Sequence, residues 1–380
     1  MKVLHLSAGN LYGGVETLLV TLARYRHLFP EMEPEFGVCF EGRLSRELAA
    51  EGVEVYRLGE ARVRLPLSVL RARQRLTRLL HEHHFDVVVC HMVWPQAIFG
   101  SVVCSAGLPL VLWIHNPIDG QHWLERLARR TQPTLTLYNS HFTKVQSRDL
   151  YPDLPGATVY YPVAGFRTDI EGAREAIRGE LKTAADSVVI VQVSRLEEWK
   201  GHQTLIEALG LLHDVPDWTC WIVGGAQRAE EVRYLDQIKL ASTRLGISNR
   251  VRFAGQRSDV ERLLTAADVF CQPNSGPEPF GIVFIEALYA GLPVVATAIG
   301  GALEIVDESC GLVVPPTDPK ALAIALRNLV ADADLRGKLS RSGPSRAIQL
   351  CDPARQMERL NSFFRTSIRF DDEKRVAWNR

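Results

Sequence analysis

At 380 residues the chain is too long for one ordinary core and comfortable for two domains. Its 46% hydrophobic and 23% charged residues are those of a globular protein. Its 44 basic and 44 acidic side chains leave no overall field to draw in nucleic acid or a membrane, so any anion site has to be built locally. The seven scattered cysteines include no C-x-x-C pair, which argues against zinc and against a disulfide framework and suits a reduced cytosol.

The opening MKVLHLSAGNLYGG has too short an apolar run for a signal peptide, and glycines stand where a cleavage region belongs. A strand is expected over residues 2–6, followed directly by GNLYGGVETLLVTLA at 9–23. There Gly13 and Gly14 would let a ligand approach the backbone at a helix start, or simply make a tight strand-to-helix turn. The spacing is not the dinucleotide fingerprint. Strands are expected at 36–40 and 53–57, then a helix in RVRLPLSVLRARQRLTRLL. On that helix Arg71, Arg75 and Arg78 share one face, while Val69, Ala72, Leu76 and Leu79 share another. The basic face is either a solvated surface or a dock for an anionic membrane.

The run 85–115 is long and apolar, but His91, Pro95, Gln96, Ser101, Ser105 and Pro109 interrupt it before the ~20 apolar residues of a membrane span accumulate. It predicts a buried strand at 87–91, a packed helix and a second buried strand at 110–114. His115 falls at the carboxyl end of that second strand, a position open to a structural or a catalytic histidine. Strands at 135–139 and 158–161 complete the first set.

A polar stretch at 165–186, with a helical pattern at 174–182, holds the expected linker. The alternation then restarts, with strands at 188–193, 219–223, 251–254, 269–272, 294–296 and 311–313 and helical patterns between them. Strands alternating with helices predict parallel sheets buried on both faces, hence two doubly wound α/β domains, residues 1–165 and 166–350. In such sheets ligands sit off the carboxyl ends of the strands, and two facing domains would make a cleft there. A last helix is expected at 353–364, with a charged tail through Trp378, and the segment 351–380 is expected to cross back to the first domain.

Three features of the second set carry chemistry. In VSRLEEWKGH, Arg195 follows a strand and Lys200 precedes a helix, a pair suited to clamp a diphosphate and to stabilise charge developing on it. In GPEPFGIVFIEALYAG, Glu278 and Glu286 stand eight residues apart around Phe280 and Gly281. A glycosidase carboxylate pair does not explain a helix N-terminus between the two acids, whereas a nucleotide-sugar site does. Asp332-Ala333-Asp334 falls where a helix begins and is read as a helix-start pattern instead of a metal site.

At these residues the chain resembles the family 4 retaining glycosyltransferases of the GT-B architecture, through GGVE, SRLEEWKG, IVGG, EPFGIVFIEALYAGLPVVAT with the GG, EIV and GLVVPP that follow, and NSHFTK at 139–144. The resemblance implies two Rossmann-like domains across a cleft, an acceptor domain at 1–165 and a nucleotide-sugar domain at 166–350. It implies that Arg195 and Lys200 bind the donor diphosphate, that Glu278 contacts the donor sugar, and that Phe280, Gly281 and Ile282 offer backbone N–H groups. It implies that Glu286 holds the ribose, that Gly224, Gly225, Gln256 and Arg257 line the nucleobase side, and that Gly13 and Gly14 lie near the diphosphate and acceptor. His115 would sit near the anomeric carbon. The implied activity is metal-independent, retaining hexosyl transfer in the cytoplasm from a UDP- or GDP-linked sugar to a glycan, a lipid-linked sugar or a small molecule. It would use no cofactor. YYPVAGF at 160–166 departs from the Asn-Gly-Val-Asp stretch of many relatives. The alternatives are a nucleotide-sugar-binding protein without chemistry and a GT-B-like epimerase.

Overall fold

The structure, a computed structural model, describes residues 1–378 except Leu11, residues 167–171 and Gln227, with side chains described through Asp371. Two compact units form, one of Met1–Val163 with Cys351–Arg380 and one of Ala164–Leu350. Asn379, Arg380 and the side chain of Trp378, part of the tail expected to cross back, lie outside the described residues, as does part of the expected linker.

The first unit alternates β1 (Lys2–Ser7), α1 (Gly14–Arg24), β2 (Glu33–Val38), α2 (Arg43–Ala50), β3 (Val55–Arg57), α3 (Pro66–Glu82), β4 (Val87–His91), α4 (Val93–Ser105), β5 (Leu110–Ile114), α5 (Trp123–Ala128), β6 (Leu135–Tyr138), α6 (His141–Gln146) and β7 (Gly156–Thr158). All pairings are parallel, in the order β3-β2-β1-β4-β5-β6-β7, so the winding reverses between β1 and β4. Burial on both faces explains the near-continuous Val/Leu runs of β4 and β5. Leu4, Val88, Leu112 and Ile114 pack with Leu76 of α3 and Phe99 of α4. The apolar stretch before His115 is strand, helix, strand, and no helix among the described residues is long and apolar enough to cross a membrane.

Two strands begin earlier than hydrophobicity suggests. β2 starts at Glu33, because the Lys2↔Glu33 register and the Lys2–Glu35 ion pair at 2.9 Å make charged residues part of the ladder. β7 ends at Thr158, where 158–161 was expected; Val159 still donates to the Tyr138 carbonyl of β6 at 2.8 Å, and Val159, Tyr161 and Val163 are buried.

The second unit runs α7 (Ala173–Glu180), β8 (Val188–Val193), α8 (His202–Gly210), β9 (Trp218–Val223), α9 (Ala229–Arg244), β10 (Val251–Gly255), α10 (Val260–Ala266), β11 (Val269–Gln272), α11 (Ile282–Tyr289), β12 (Val294–Thr297), α12 (Ala302–Ile305), β13 (Gly311–Val314), α13 (Pro319–Ala331) and α14 (Ala333–Cys351). Its parallel order, β10-β9-β8-β11-β12-β13, reverses between β8 and β11. Asp332 accepts from the N–H of Leu335 at 2.8 Å, the helix-start role read from the sequence. The last helix, α15 (Pro353–Trp378), is longer than the expected 353–364 and contacts β4 and β5 of the first unit. There Arg359 donates to the carbonyl of Thr158 at 2.9 Å and Phe364 meets His5 edge-on.

Candidate active site

In a doubly wound sheet the reversal point splays two loops apart at the carboxyl edge and leaves a crevice between them. In the second unit those loops follow β8 and β11, and they carry the residues singled out above.

After β8 the chain passes Ser194 and Arg195 and makes one 3-10 turn, Glu198–Lys200. Gly201 then takes φ +73° and opens α8. A Cβ there would lie 1.8 Å from the carbonyl oxygen of Pro273, so glycine lets the two loops touch. The contact delivers Lys200 to Glu278. Nζ lies 2.5 Å from Oε2, and both side chains are about nine-tenths buried. Gln272 Nε2 at 3.5 Å and Asn274 Nδ2 at 3.3 Å donate to the same Oε2. Oε1 has no partner among the described residues. The ammonium also stands 3.9 Å from the centre of the Trp199 ring. Burial lowers the Lys200 pKa, against which the Glu278 carboxylate raises it, and the Arg195 charge lowers it further.

Arg195 itself is exposed and pairs with Glu197 at 2.7 Å. The loop after β11 is pinned from beyond β12, where Glu278 and Gly300 form a parallel bridge and Glu278 accepts from the N–H of Gly301 at 2.7 Å. Gly300 has φ +73°, and a Cβ there would lie 2.5 Å from the Glu278 carbonyl oxygen. Phe280 is buried, Gly281 caps α11 with φ +98°, and Ile282 opens the helix. One turn on, Glu286 is half-buried with no side-chain hydrogen bond among the described residues. Desolvation pushes its carboxyl up to about 7, helped by Glu261.

The wall after β9 and β10 is tight. A Cβ on Gly224 would lie 2.0 Å from the Ser194 carbonyl oxygen, and one on Gly225 would lie 2.6 Å from Cβ of Gln256. The Arg257 side chain is committed to Asp259, at 2.8 Å, and to Glu180, so its backbone is what remains to offer.

The first unit arranges its edge differently. Gly13 caps α1 in extended backbone, φ −163°, and its N–H donates to Glu16 Oε2 at 2.9 Å. Gly14 is the first residue of α1. His115 follows β5 as expected, but it is 2% exposed and bonded through both ring nitrogens. Its Nε2 is 3.0 Å from His91 Nδ1 and its Nδ1 is 2.7 Å from the Tyr161 hydroxyl. His91 Nε2 in turn lies 2.9 Å from His5 Nδ1. Burial lowers His5 and His115 to about 3 and His91 well below its ordinary value, so the chain of imidazoles is neutral. On α3, Arg71, Arg75 and Arg78 are all exposed, and Arg75 also donates to the carbonyl of Leu58 at 3.3 Å. Sequence reasoning gave no role to Gln272, Trp199 or the pair Gly300-Gly301. The GG doublet was the available signal for the last of these.

Two reversal-point sheets on one chain, one with a buried cation–carboxylate pair at its edge, define the GT-B class of two-unit α/β protein. Residues 173–346 match the family described as glycosyl transferases group 1, and residues 3–144 match the glycosyl transferase 4-like domain. The lipopolysaccharide core biosynthesis glycosyltransferase LpsD of Rhizobium meliloti is 30% identical over 353 residues, covering 90% of this chain and 92% of that protein. LpsE of the same organism is 37% identical over 167 residues, and that match spans 44% of this chain and 46% of LpsE. Among solved structures, Anabaena Alr3699/HepE in complex with UDP superposes with a TM-score of 0.84 at 25% identity, covering 96% of this chain and all of the other. The chain belongs to the group 1, family 4 glycosyltransferases.

Proposed function

We propose that the protein is a retaining glycosyltransferase that moves a hexosyl group from a nucleotide-diphosphate sugar to a hydroxyl acceptor, without a divalent metal. The observation that carries this reading is the buried Lys200–Glu278 pair at the reversal point of the second unit. An enclosed ammonium beside an exposed guanidinium suits a pyrophosphate, and Glu278 Oε1 is the free oxygen a sugar hydroxyl would donate to. Phe280, Gly281 and Ile282 place the N-terminus of α11 beside it. Glu286, short of donors, accepts from the ribose hydroxyls, and the backbone of Gly224, Gly225, Gln256 and Arg257 meets the base. Support for the donor class comes from HepE, solved with UDP and with UDP-glucose.

In the step itself the bond from the anomeric carbon to the diphosphate breaks, and its electron pair leaves on the phosphate oxygen. The acceptor oxygen bonds to the same face of the sugar, and its proton passes to that leaving oxygen. Lys200 and Arg195 stabilise the charge as it develops, the role a metal plays elsewhere. Gly13 and Gly14 lie on the acceptor side. His115 positions the sugar only if a ring nitrogen gives up its bond to His91 or Tyr161. The relatives' role in lipopolysaccharide core synthesis favours a glycan carried on a lipid, reached from the cytoplasm with Arg71 and Arg78 facing an anionic inner leaflet and Arg75 tied back.

A thermal-shift panel of UDP, GDP and their sugars tests the donor site. A ligand at 100 times its Kd adds about 2.7 kcal/mol, and Arg195→Ala with Lys200→Ala abolishes that gain. Undiminished nucleotide binding by the double variant overturns the clamp. Chelator-resistant turnover and a product of unchanged anomeric configuration by NMR test the remaining terms.

A further inference from the structure

The cation pair on the second unit carries its own counter-charges. Lys200 meets Glu278, and Arg195 meets Glu197, with Nη1 2.7 Å from Oε1. The two cations and two carboxylates cancel, so a diphosphate entering this edge finds no net positive charge waiting among them. It has to take a cation from one of the carboxylates.

The two pairs differ in how readily they part. Lys200 and Glu278 are enclosed, and Glu278 Oε2 also accepts from Gln272 and Asn274. Parting them strands a charge away from water. The Arg195 side chain is 60% exposed and that of Glu197 22%, a pair within reach of solvent and therefore weakly held. A phosphate offers the guanidinium several acceptor oxygens and more charge than one carboxylate does.

Glu197 keeps its place when Arg195 leaves. Its Oε2 accepts from the indole N–H of Trp199 at 2.8 Å. Trp199 is held in turn by the loop after β11: its carbonyl accepts from the N–H of Ser275 at 2.8 Å, and a Cβ on Gly276 would lie 3.3 Å from that of Trp199. The main chain of Glu197 is closed on both sides, its N–H donating to the Arg195 carbonyl at 2.9 Å and its carbonyl accepting from the N–H of Lys200 at 3.0 Å. The indole that Glu197 grips is also the ring against which the Lys200 ammonium rests. One carboxylate thus touches the first cation and steadies the support of the second.

Given the transferase reading, on which this rests, we infer that Glu197 is the displaceable counter-ion of the site. Arg195 leaves it for the diphosphate when the nucleotide binds. Glu197, kept in position by Trp199, then draws Arg195 back and hastens departure of the nucleoside diphosphate left by transfer. Glu197 and Trp199 are positioning residues that act through Arg195 and Lys200. The role carries a sign that scaffolding would not have: removing the Glu197 charge strengthens nucleotide binding.

The test is isothermal titration calorimetry of the full chain with UDP and with GDP, the tighter binder serving as probe, with a thermal melt of each variant to check the fold. Glu197→Gln, whose amide oxygen still accepts from the indole, tightens the probe about five- to tenfold and slows its release, read by stopped-flow displacement, by about the same factor. Glu197→Asp, too short to reach Arg195 and Trp199 together, falls between Glu197→Gln and the wild type. In an Arg195→Gln background most of the gain from Glu197→Gln is lost, because the carboxylate has no cation to reclaim. A folded Glu197→Gln variant that binds no more tightly than the wild type overturns the inference and leaves the transferase reading standing. A gain that persists in full without Arg195 also overturns it, since simple repulsion of the diphosphate then accounts for the effect. A wild-type chain that binds neither nucleotide breaks the transferase reading itself, and the counter-ion role with it.

Discussion

The two units share a strand order and differ in what they place at the reversal point. In the second unit the edge is polar and tightly packed, with a buried ion pair delivered by two loops that touch through Gly201 and are pinned from a third through Gly300. In the first the edge is aromatic and roomy, backed by three neutral histidines in hydrogen-bonded file. One scaffold can therefore present a charge clamp or an apolar pocket, and the choice lies in the loops and not in the sheet.

Acid should separate the two units most sharply. His5 and His115 are held near 3 in the fold against 6.5 in the unfolded chain, and His91 is also strongly lowered. Between those values the unfolded chain takes up protons that the fold refuses. The stability is present in full above pH 6.5 and is lost as pH falls toward 3, by up to about 1.4 kcal/mol per proton per pH unit. The second unit carries one such buried histidine, His202, lowered to about 4. Hydrogen exchange followed from pH 7 to 4 should show β1, β4 and β5 opening before β8, β9 and β11. Simultaneous opening would remove the distinction.

The ion pair supplies the next largest effect. Lys200→Met keeps the stem over Trp199 but leaves Glu278 buried without its cation. It should cost about 3 kcal/mol of stability and about 10²–10³-fold in transfer rate. Adding Glu278→Gln should restore most of the stability, since a neutral amide tolerates the site, and none of the transfer. Denaturant melts and kcat/KM on the single and double variants give both numbers. Recovery of transfer in the double variant would reduce the pair to scaffolding.

How much of this was legible follows the same division. The placement of Arg195, Lys200 and Glu278 at one sheet edge could be read because the loops that carry them are short and bounded by glycines whose φ or close contacts admit little else, and Glu286 follows one turn along α11. Sequence order there is nearly spatial order. The histidine file could not be read, because it is assembled across β1, β4 and β5 by register, with His91 opposite Trp113 and His5 opposite Val89. Nothing local links residues 5, 91, 115 and 161. His115 was therefore placed at the right strand end but without its partners, and β2 was begun late because Glu33 and Glu35 hide a strand that Lys2 neutralises.

Glu286 sharpens the contrast from the other side, since its acid response is opposite to that of the histidines. Its carboxyl sits at about 7 in the fold against 4.5. Here the fold keeps a proton that the unfolded chain has lost, so the contribution is present below pH 4.5 and fades as pH rises through 7. Glu286→Gln should raise stability at pH 8 by about 1–3 kcal/mol and change it little at pH 4.5, while weakening nucleotide binding. Urea melts at the two values measure the first effect. A variant no more stable at pH 8 would mean that solvent already satisfies the ionised carboxylate.

The smallest expected effect asks why glycine stands at the opening of α1. Gly13 has extended backbone that any residue adopts, and a Cβ would find Glu16 Oε2 at 3.8 Å, an ordinary contact. Gly201, by contrast, has no room for a methyl group. Gly13→Ala should therefore change stability by less than about 0.5 kcal/mol. If the fold tolerates the methyl while transfer falls, space at Gly13 is kept for a ligand that approaches the main chain. If both are unchanged, the GGVE loop is a helix cap, and ligand contact in the first unit belongs to the aromatic pocket beside it.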